Sequence, residues 1–226
     1  MASSGILYIV ATPIGNMQDI TLRAIEVLKN ADVILCEERR EGTTLLKRLN
    51  VASKEILQVN EHNEKQMQQE VLVHLAMGKN IAMISDCGTP VFADPGAEII
   101  KTVSQAGFSV VPIPGVSSLM AALSILDFRA EPFYFAGFLP RQENERLKAL
   151  LRLKQLKIAV VLMDTPYRLG RMLQDVLKTL GDKQRITLAF NLTLPDEKIY
   201  RGEIKSVLEQ VGVRKGEFIL ILHPNP

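Results

Sequence analysis

The sequence predicts two α/β domains, with a mainly parallel sheet in the N-terminal domain and a mixed sheet in the C-terminal domain. In the first half of the chain, short apolar runs alternate with helical segments, which is typical of parallel strands joined by helices. In the second half, runs at 185–190 and 198–201 follow each other across Leu194-Pro195-Asp196, which indicates antiparallel pairing. Between the halves lies Pro112-Ile113-Pro114-Gly115, where neither proline can donate to a sheet ladder.

Five strands are predicted in the first half, each a short run rich in apolar or β-branched residues. They are Ile6–Ala11, Val33–Cys36, Ile56–Val59, Ile81–Ser85 and Ser109–Ile113. A helix is expected after each of the first four strands, as judged from spacing, caps and glycine stops. The helices are predicted at Leu22–Leu28 with Asp19 and Thr21 as caps, and at Thr43–Leu49, Glu64–Met77 and Gly96–Ala106.

The pattern of the chain changes after the proline-rich segment, so we expect one domain at 1–115 and a second at 116–226. Strands of the second domain are predicted at Phe133–Phe135, Lys157–Met163, Arg185–Phe190, Lys198–Arg201 and Glu217–Leu222. Its helices are predicted at Ser117–Leu126, Glu143–Lys154, Tyr167–Leu180 and Ile204–Val211.

Composition and charge narrow the classes of function. The 27 Lys and Arg exceed the 25 Asp and Glu by only two, which is too weak an excess to indicate a nucleic-acid binder by itself. No apolar run approaches the roughly 20 residues that cross a bilayer. Residues 1–5 lack positive charge, and the apolar run after them is too short for a signal peptide. We therefore expect a cytoplasmic protein.

The sequence contains two cysteines, Cys36 and Cys87. They lie far apart in the chain, which supports neither a disulfide framework nor a zinc site. We expect both to be small buried residues near strand ends, and we predict no metal site.

Four loops pair glycine with proline at the predicted carboxyl ends of strands. They are Thr12–Asn16, Asp86–Pro90, Asp94–Gly96 and Pro114–Ser118. Proline fixes the backbone and glycine permits close approach to it, and ligands of α/β proteins bind at this edge of the sheet. Neither G-x-G-x-x-G after the first strand nor G-x-x-x-x-G-K-[ST] is present, which disfavours nicotinamide, flavin and P-loop nucleotides. The loops predict a rigid small-molecule pocket, with ordinary tight connections as the alternative.

Longer stretches resemble the tetrapyrrole methylase superfamily and, more narrowly, its branch that methylates small-subunit ribosomal RNA. The matching stretches occur in order along nearly the whole chain, at Leu7–Asn16, Asp19–Ala24, Glu61–Glu64, Ser85–Gly96, Pro114–Ser117, Gly137–Arg141 and Lys215–Phe218. The resemblance implies a homodimer that binds S-adenosylmethionine in a folded shape between its two domains.

The resemblance also implies a set of cofactor contacts. By position they fall on Pro13, Ile14, Thr89, Phe92, Ser117, Ser118, Met163, Ala189 and Gly216. An adenine needs apolar walls and backbone hydrogen bonds, and small residues let the backbone come close, so the set is chemically reasonable. Met163 alone would indicate core packing, but it stands at the end of a predicted strand that matches the cofactor pocket.

A ribose 2′-hydroxyl is the acceptor that the resemblance implies, and it is a weak nucleophile that a nearby base would help to deprotonate. The candidate bases are Glu37, Glu38, His62 and Asp86. Each has a structural alternative. Glu37 or Glu38 could pair with Arg39 or Arg40, His62 could be a helix cap or surface residue, and Asp86 could cap its own loop.

Two basic clusters could contact the phosphates of RNA. One is Arg141–Lys157, with Arg141, Arg146, Lys148, Arg152, Lys154 and Lys157 against two glutamates, and the other is Arg39, Arg40, Lys47 and Arg48. Small-subunit ribosomal RNA is therefore the predicted partner. Solvated helix faces remain the alternative for both clusters.

The chain departs from the family pattern mainly on the acceptor side. The family's stretch Glu-Asp-Thr-Arg, followed by His, is replaced here by Glu37-Glu38-Arg39-Arg40 followed by Glu41. The Glu of a second family stretch is replaced by Asp164. A third stretch, Ala-Arg-Glu-Leu-Thr, corresponds to residues 189–193, which carry neither of its two charges. The family's small C-terminal extension has no counterpart before Pro226.

The leading hypothesis is an RNA 2′-O-methyltransferase. The alternatives are a methyltransferase of the same fold with a tetrapyrrole or other acceptor, and a cofactor-binding protein without catalysis.

Overall fold

The computed structural model describes residues 4–60, 62–92 and 94–224. The chain divides into two compact units, Met1–Ser117 and Ser118–Pro226, and each contains one five-stranded sheet. Within the described part of the chain, no helix combines the length and the apolar character needed to span a membrane.

The N-terminal unit is built on a sheet in which every strand pair is parallel. Its strands are β1 (Ile6–Val10), β2 (Val33–Cys36), β3 (Glu55–Gln58), β4 (Ile81–Ile84) and β5 (Ser109–Ile113), in the order β3-β2-β4-β1-β5. Strands β2 and β4 are buried at every residue, because helices cover both faces of a parallel sheet.

Four α-helices cover this sheet in two layers. They are α1 (Leu22–Asn30), α2 (Arg39–Arg48), α3 (Glu64–Ala76) and α4 (Ala97–Gln105), and a short 3₁₀ helix at Met17–Asp19 precedes α1. Helices α1 and α2 pack on one face through residues such as Leu28 and Leu46. Helices α3 and α4 pack on the other face through residues such as Leu75 and Ile99. Thr21 caps α1, since its hydroxyl accepts the Ala24 N–H at 3.1 Å, as predicted.

Helix α2 begins at Arg39 rather than at the predicted Thr43. Its first turn is entirely charged or glycine, so the apolar periodicity that reveals a helix is missing there. Gly42 lies against β2, where an added Cβ would be 3.0 Å from the Cys36 sulfur. The helix therefore follows its strand almost without a loop and packs closely on it.

The C-terminal unit contains the mixed sheet that the sequence predicts. Its strands are β6 (Phe133–Phe138), β7 (Ala159–Asp164), β8 (Arg185–Phe190), β9 (Lys198–Glu203) and β10 (Phe218–Leu222), in the order β6-β7-β10-β8-β9. Only β6 and β7 are parallel, and the predicted antiparallel pairing of β8 with β9 is confirmed. Strand β6 runs past its predicted end because a bulge between Phe135 and Gly137 absorbs the glycine, whose φ is 61°.

Helices also cover both faces of this sheet. Helix α5 (Ser118–Ser124) packs on one face, while α6 (Glu143–Lys154), α7 (Leu169–Leu180) and α8 (Ile204–Val211) pack on the other. The bounds of α6 and α8 are those predicted. A 3₁₀ turn at Pro166–Arg168 precedes α7, which accounts for the later start of that helix. Together the two units confirm the predicted fold class.

The assignment of Arg146 to an RNA-binding surface is wrong. Only 1% of Arg146 is exposed, and its Nε lies 2.6 Å from Asp175 Oδ2 on α7. Its Nη1 also donates to the carbonyl of Pro140 at 3.2 Å and that of Arg141 at 2.7 Å. Arg146 therefore joins α6, α7 and the segment before α6 inside the protein.

Candidate functional site

The carboxyl ends of the five parallel strands form one edge of the N-terminal sheet. Thr12 follows β1 closely, Glu37 follows β2, Ser85 follows β4 and Pro114 follows β5. Strands β4 and β1 are adjacent at the centre of the sheet. This edge therefore gathers the glycine–proline loops and most of the candidate bases.

Hydrogen bonds of Thr12 join the loops after β1 and β4, and hydrogen bonds of Ser85 stabilise the loop after β4. Thr12 N–H donates to the carbonyl of Gly88 at 2.8 Å, and the Thr12 hydroxyl donates to the carbonyl of Ser85 at 3.0 Å. Ser85 Oγ donates to Asp94 Oδ2 at 2.6 Å and accepts the Cys87 N–H at 3.1 Å. These bonds hold the two loops in a fixed relation, as the proline and glycine content predicts.

A cavity of about 200 Å³ opens between these loops and helix α2. Its lining comes from the loop after β1, from one stripe of α2 and from the end of β4. The lining residues are Thr12, Pro13, Ile14, Gly15, Met17, Glu41, Thr44, Leu45, Arg48, Ile84, Ser85, Asp86 and Cys87. The cavity thus combines apolar walls with a small number of charged groups, which is typical of a small-molecule site.

Asp86 is the candidate base that lines this cavity. Asp86 is an exposed residue, but partial burial of its carboxyl group raises the pKa of that group. The charges of Glu41, Asp94 and Glu38 raise the pKa further, and the Glu38 N–H that donates to Asp86 Oδ1 at 3.3 Å opposes the shift. The Asp86 carboxylate is therefore bonded to the segment that follows β2. Its own loop is capped instead by Ser85, whose Oγ accepts the Cys87 N–H. A carboxylate with a raised pKa is a better proton acceptor, so Asp86 has the properties of a general base.

The other candidate bases lie along the same edge but outside the cavity lining. Glu37 and Glu38 are exposed after β2. No ion pair joins Glu38 to Arg39 or Arg40 within the described residues, and the Arg39 guanidinium donates to the carbonyl of Ile56 at 2.7 Å.

His62 lies beyond β3, the edge strand, so β2 separates its loop from β4. It is exposed, and its N–H donates to Asn60 Oδ1 at 3.0 Å in the turn before α3. This supports its interpretation as a surface residue. Glu61 of the same motif lies outside the described residues.

The prediction for the cysteines is right for Cys36 and wrong for Cys87. Cys36 is buried at the end of β2, and burial, with the nearby charge of Asp86, raises the pKa of its thiol to about 11. Cys87 is exposed, because it lies in the loop that turns away from β4 rather than in the strand. Within the described residues, no cluster of three or more His, Cys, Asp or Glu side chains could hold a metal ion.

The candidate cofactor contacts of the N-terminal unit surround the same loops. Pro13 and Ile14 line the cavity, and the Thr89 hydroxyl donates to the carbonyl of Val116 at 2.9 Å, which ties this loop to the one after β5. Phe92 is 52% exposed, and Ser117 is half-buried at the end of the unit. An exposed aromatic ring beside rigid loops fits a surface that stacks against a flat apolar ligand.

The candidate contacts of the C-terminal unit lie towards one end of its sheet. Met163 on β7 and Ala189 on β8 both pair with Ile219 of β10, so they share a row on the face that α5 covers. Ala189 is fully buried, whereas Met163 and Gly216 are partly exposed, and Ser118 is the first residue of α5. A thioether, a small residue and bare backbone at Gly216 fit an adenine-like group.

Asp164 follows Met163 and has a buried carboxylate. Its Oδ1 accepts the Thr165 N–H at 2.8 Å and lies 3.1 Å from Arg168 Nη1. Arg168 also donates to the carbonyl of Pro140 at 3.1 Å. This ion pair therefore fixes the 3₁₀ turn after β7 and explains the acid–arginine spacing in the sequence.

Gly216→Ala is expected to destabilise the protein by about 1–3 kcal/mol, because overfilling a packed site costs that amount. An added Cβ would collide with Asn191 Oδ1 and with the Phe190 ring. Urea unfolding of the variant measures the loss. Gly170→Ala on α7 is the matched control, because a Cβ there meets nothing within 4 Å, and it should leave stability unchanged or slightly higher. Equal stability of both variants would contradict the expectation.

The sequence did not reveal the cavity wall that α2 provides. Glu41, Thr44, Leu45 and Arg48 lie at positions i, i+3, i+4 and i+7 of that helix, which place them on one face. The signal would have been visible if the helix had been predicted to begin at Arg39.

Residues 6–208 match the family model of tetrapyrrole (corrin/porphyrin) methylases. The chain belongs to this family. This tetrapyrrole methylase is 41% identical over 224 residues to ribosomal RNA small subunit methyltransferase I of Neisseria meningitidis serogroup B, with 97% of this chain and 76% of that protein covered. It is 38% identical to the protein of the same name from Bacillus subtilis, over 96% of this chain and 75% of that protein.

Solved structures of other tetrapyrrole methylases share the fold. Cobalt precorrin-4 methyltransferase superposes with a TM-score of 0.69 at 20% identity, over 96% of this chain and 94% of that chain. Uroporphyrin-III C-methyltransferase from Thermus thermophilus, complexed with S-adenosylhomocysteine, gives 0.67 at 22% identity over 97% of each chain. The resemblance found in the sequence is confirmed, and this tetrapyrrole methylase is an S-adenosylmethionine-dependent methyltransferase.

Proposed function

We propose that the protein methylates a ribose 2′-hydroxyl of small-subunit ribosomal RNA. The observation that carries the proposal is the cavity beside the loops after β1 and β4, which combines apolar walls with charged groups that include the carboxylate of Asp86. Relatives that are 36–41% identical over nearly the whole chain are named ribosomal RNA small subunit methyltransferase I, which supports RNA as the acceptor.

The residues present fit S-adenosylmethionine. We propose contacts from Pro13, Ile14, Thr89, Phe92 and Ser117 in the N-terminal unit and from Ser118, Met163, Ala189 and Gly216 in the C-terminal unit. The donor set consists of apolar side chains, hydroxyls and close-packed backbone, which suits an adenosine and a short amino-acid chain. When bound, the cofactor supplies an electrophilic methyl group, and the protein's task is to hold the acceptor in line with it.

The proposed general base is Asp86. It would accept the proton of the 2′-hydroxyl, and the partial burial of its carboxyl group supports this role, because it raises the pKa of that group. Glu38 lies next to it through the 3.3 Å hydrogen bond from its N–H, and Glu37 and His62 are the remaining candidates. Thr12 and Ser85 keep the Asp86 loop in place.

Exposed cations would attract the phosphates of RNA. We propose that Arg40 of α2 and the exposed Arg141, Arg152 and Lys157 of the C-terminal unit contribute to this attraction. Following the resemblance, we also propose that the protein acts in the cytoplasm and forms a homodimer. Light scattering of the purified protein would test the dimer.

A tetrapyrrole acceptor is the second candidate, since the family takes its name from such substrates. A porphyrin-like acceptor favours a wide apolar trough. The charged cavity lining by Glu41, Arg48 and Asp86 argues against it.

Calorimetry with S-adenosylmethionine and S-adenosylhomocysteine, followed by labelling of 30S subunits from a strain that lacks the gene, tests the proposal. Micromolar binding with label in the RNA is expected. Binding without RNA labelling would transfer the search to tetrapyrrole and protein acceptors. Absence of binding would contradict the cofactor site.

A further inference from the structure

One face of α2 carries charges of opposite sign into the cavity. Glu41 lies in the first turn and Arg48 is the last residue of the helix, with Thr44 and Leu45 between them. Seven residues of α-helix span about 10 Å. The cavity is therefore lined by carboxylates at one end, where Glu41 acts on the pKa of Asp86, and by a guanidinium at the other.

Arg48 makes no hydrogen bond or ion pair with any residue that the structure describes. It differs in this respect from Arg39, which is bound to the carbonyl of Ile56. Its neighbour Thr44 donates its hydroxyl to the carbonyl of Arg40 at 2.8 Å, so the Thr44 oxygen keeps the capacity to accept a further hydrogen bond. The guanidinium of Arg48 therefore has its donors available to a ligand in the cavity.

The wall that holds Arg48 is rigid. Gly42 packs against Cys36, Leu46 is buried in the core on this face of the sheet, and the Leu49 N–H donates to the carbonyl of Leu45 at 3.0 Å. The backbone of α2 is thus held in place beneath the exposed Arg48 side chain, whose planar fork of donors is suited to bidentate binding of a phosphate.

We propose that Arg48 binds a phosphate group adjacent to the acceptor ribose and so directs the 2′-hydroxyl towards Asp86. This inference rests on the proposed function, because it takes the acceptor to be a nucleotide of RNA. The separation of charge along α2 matches such a nucleotide: its backbone anion meets the guanidinium, and its reactive hydroxyl meets the carboxylates. Arg48 is thus a positioning residue, distinct from the general base.

The test compares Arg48→Ala, Arg48→Lys and Lys29→Ala in methylation of 30S subunits at several salt concentrations. Lys29 lies in the last turn of α1, shortly before the amino end of β2, so its loss removes one charge without touching the cavity lining. Arg48→Ala should raise KM for the subunits about tenfold or more, because a charge-assisted hydrogen bond is lost. It should also reduce the slope of log affinity against log salt by about 1. Arg48→Lys should recover part of the loss, and Lys29→Ala should stay within about twofold of the parent.

A second measurement does not depend on catalysis. Ribonucleoside 3′,5′-bisphosphates and the matching nucleosides are titrated into the protein and followed by NMR. The bisphosphates should bind more tightly, and Arg48→Ala should remove that difference. If Arg48→Ala methylates 30S subunits with unchanged KM and salt slope, the inference is overturned although the proposed function stands. If no RNA is labelled by the parent but the bisphosphate preference depends on Arg48, the RNA acceptor fails while the phosphate site remains.

Discussion

Asp86→Asn is expected to lower kcat for methyl transfer by about 10²–10⁴-fold, which is the usual contribution of a general base. The amide can still accept the Glu38 N–H that Asp86 Oδ1 accepts at 3.3 Å, so the loop should keep its place. The variant loses only the capacity to take a proton. Affinity for S-adenosylhomocysteine, measured by calorimetry, should therefore remain within about twofold of the parent value.

The pH dependence of kcat provides an independent readout of Asp86. Burial and the neighbouring carboxylates raise the pKa of Asp86, so its carboxyl group is protonated over a wider acidic range than an ordinary aspartic acid. A protonated group cannot act as a base. Activity of the parent protein should therefore fall as pH is lowered through this raised pKa, and the acidic limb should be absent from the residual activity of Asp86→Asn.

Glu26→Gln is the matched control for Asp86→Asn, since Glu26 is an exposed carboxylate on α1 outside the cavity lining. It should retain full activity. Glu38→Ala tests whether Glu38 rather than Asp86 is the base. Full activity of Asp86→Asn together with inactivity of Glu38→Ala would assign the base to Glu38 instead.

Arg146→Leu is expected to reduce the free energy of unfolding by about 3–5 kcal/mol, the cost of breaking a buried ion pair on one side only. The change leaves the Asp175 carboxylate buried without its 2.6 Å partner. It also removes the donor that the carbonyls of Pro140 and Arg141 share. Urea unfolding measures the loss. Tyrosine fluorescence is the appropriate probe, because the chain has no tryptophan and three of its four tyrosines lie in the C-terminal unit.

Two controls define the origin of this effect. Lys148→Ala removes an exposed cation from the same helix, where its partner Glu145 is also exposed, and should change stability by less than about 1 kcal/mol. Arg146→Leu combined with Asp175→Leu should be more stable than Arg146→Leu alone, because no charge is then left buried. If the single and double variants were equally unstable, lost packing rather than the unpaired charge would be the cause.

Much of the fold could be predicted from local sequence. The apolar runs at β2 and β4 predict buried parallel strands, and the alternation of strands and helices predicts their order. The start of α2 could not be predicted, because the charged residues Arg39 and Arg40 give no apolar periodicity. The burial of Arg146 was equally hidden, since its partner Asp175 lies 29 residues away and only the packing of α6 on α7 brings them together.

Likewise, only part of the candidate site could be predicted from the sequence. Loop chemistry placed Pro13, Ile14 and Asp86 near a pocket, because glycine and proline constrain the chain locally. The contribution of Glu41, Thr44 and Arg48 depends on where a helix begins and on how it lies against the sheet. Local sequence does not contain this tertiary information. The sequence therefore assigned Arg48 only to a cluster of basic residues that could contact RNA.

The close packing of α2 on β2 at Gly42 has a consequence for how this protein could diversify. The loops after β1 and β4 are held by their own hydrogen bonds, and the facing wall is held by the helix, so the two parts can accept substitutions separately. Under the proposed function, exchanging side chains at positions 41, 44 and 48 would change which acceptors the cavity takes and leave the Thr12–Gly88 hydrogen bond intact. Such modularity makes α2 a natural target for redirecting the methyl group to a new acceptor by directed evolution.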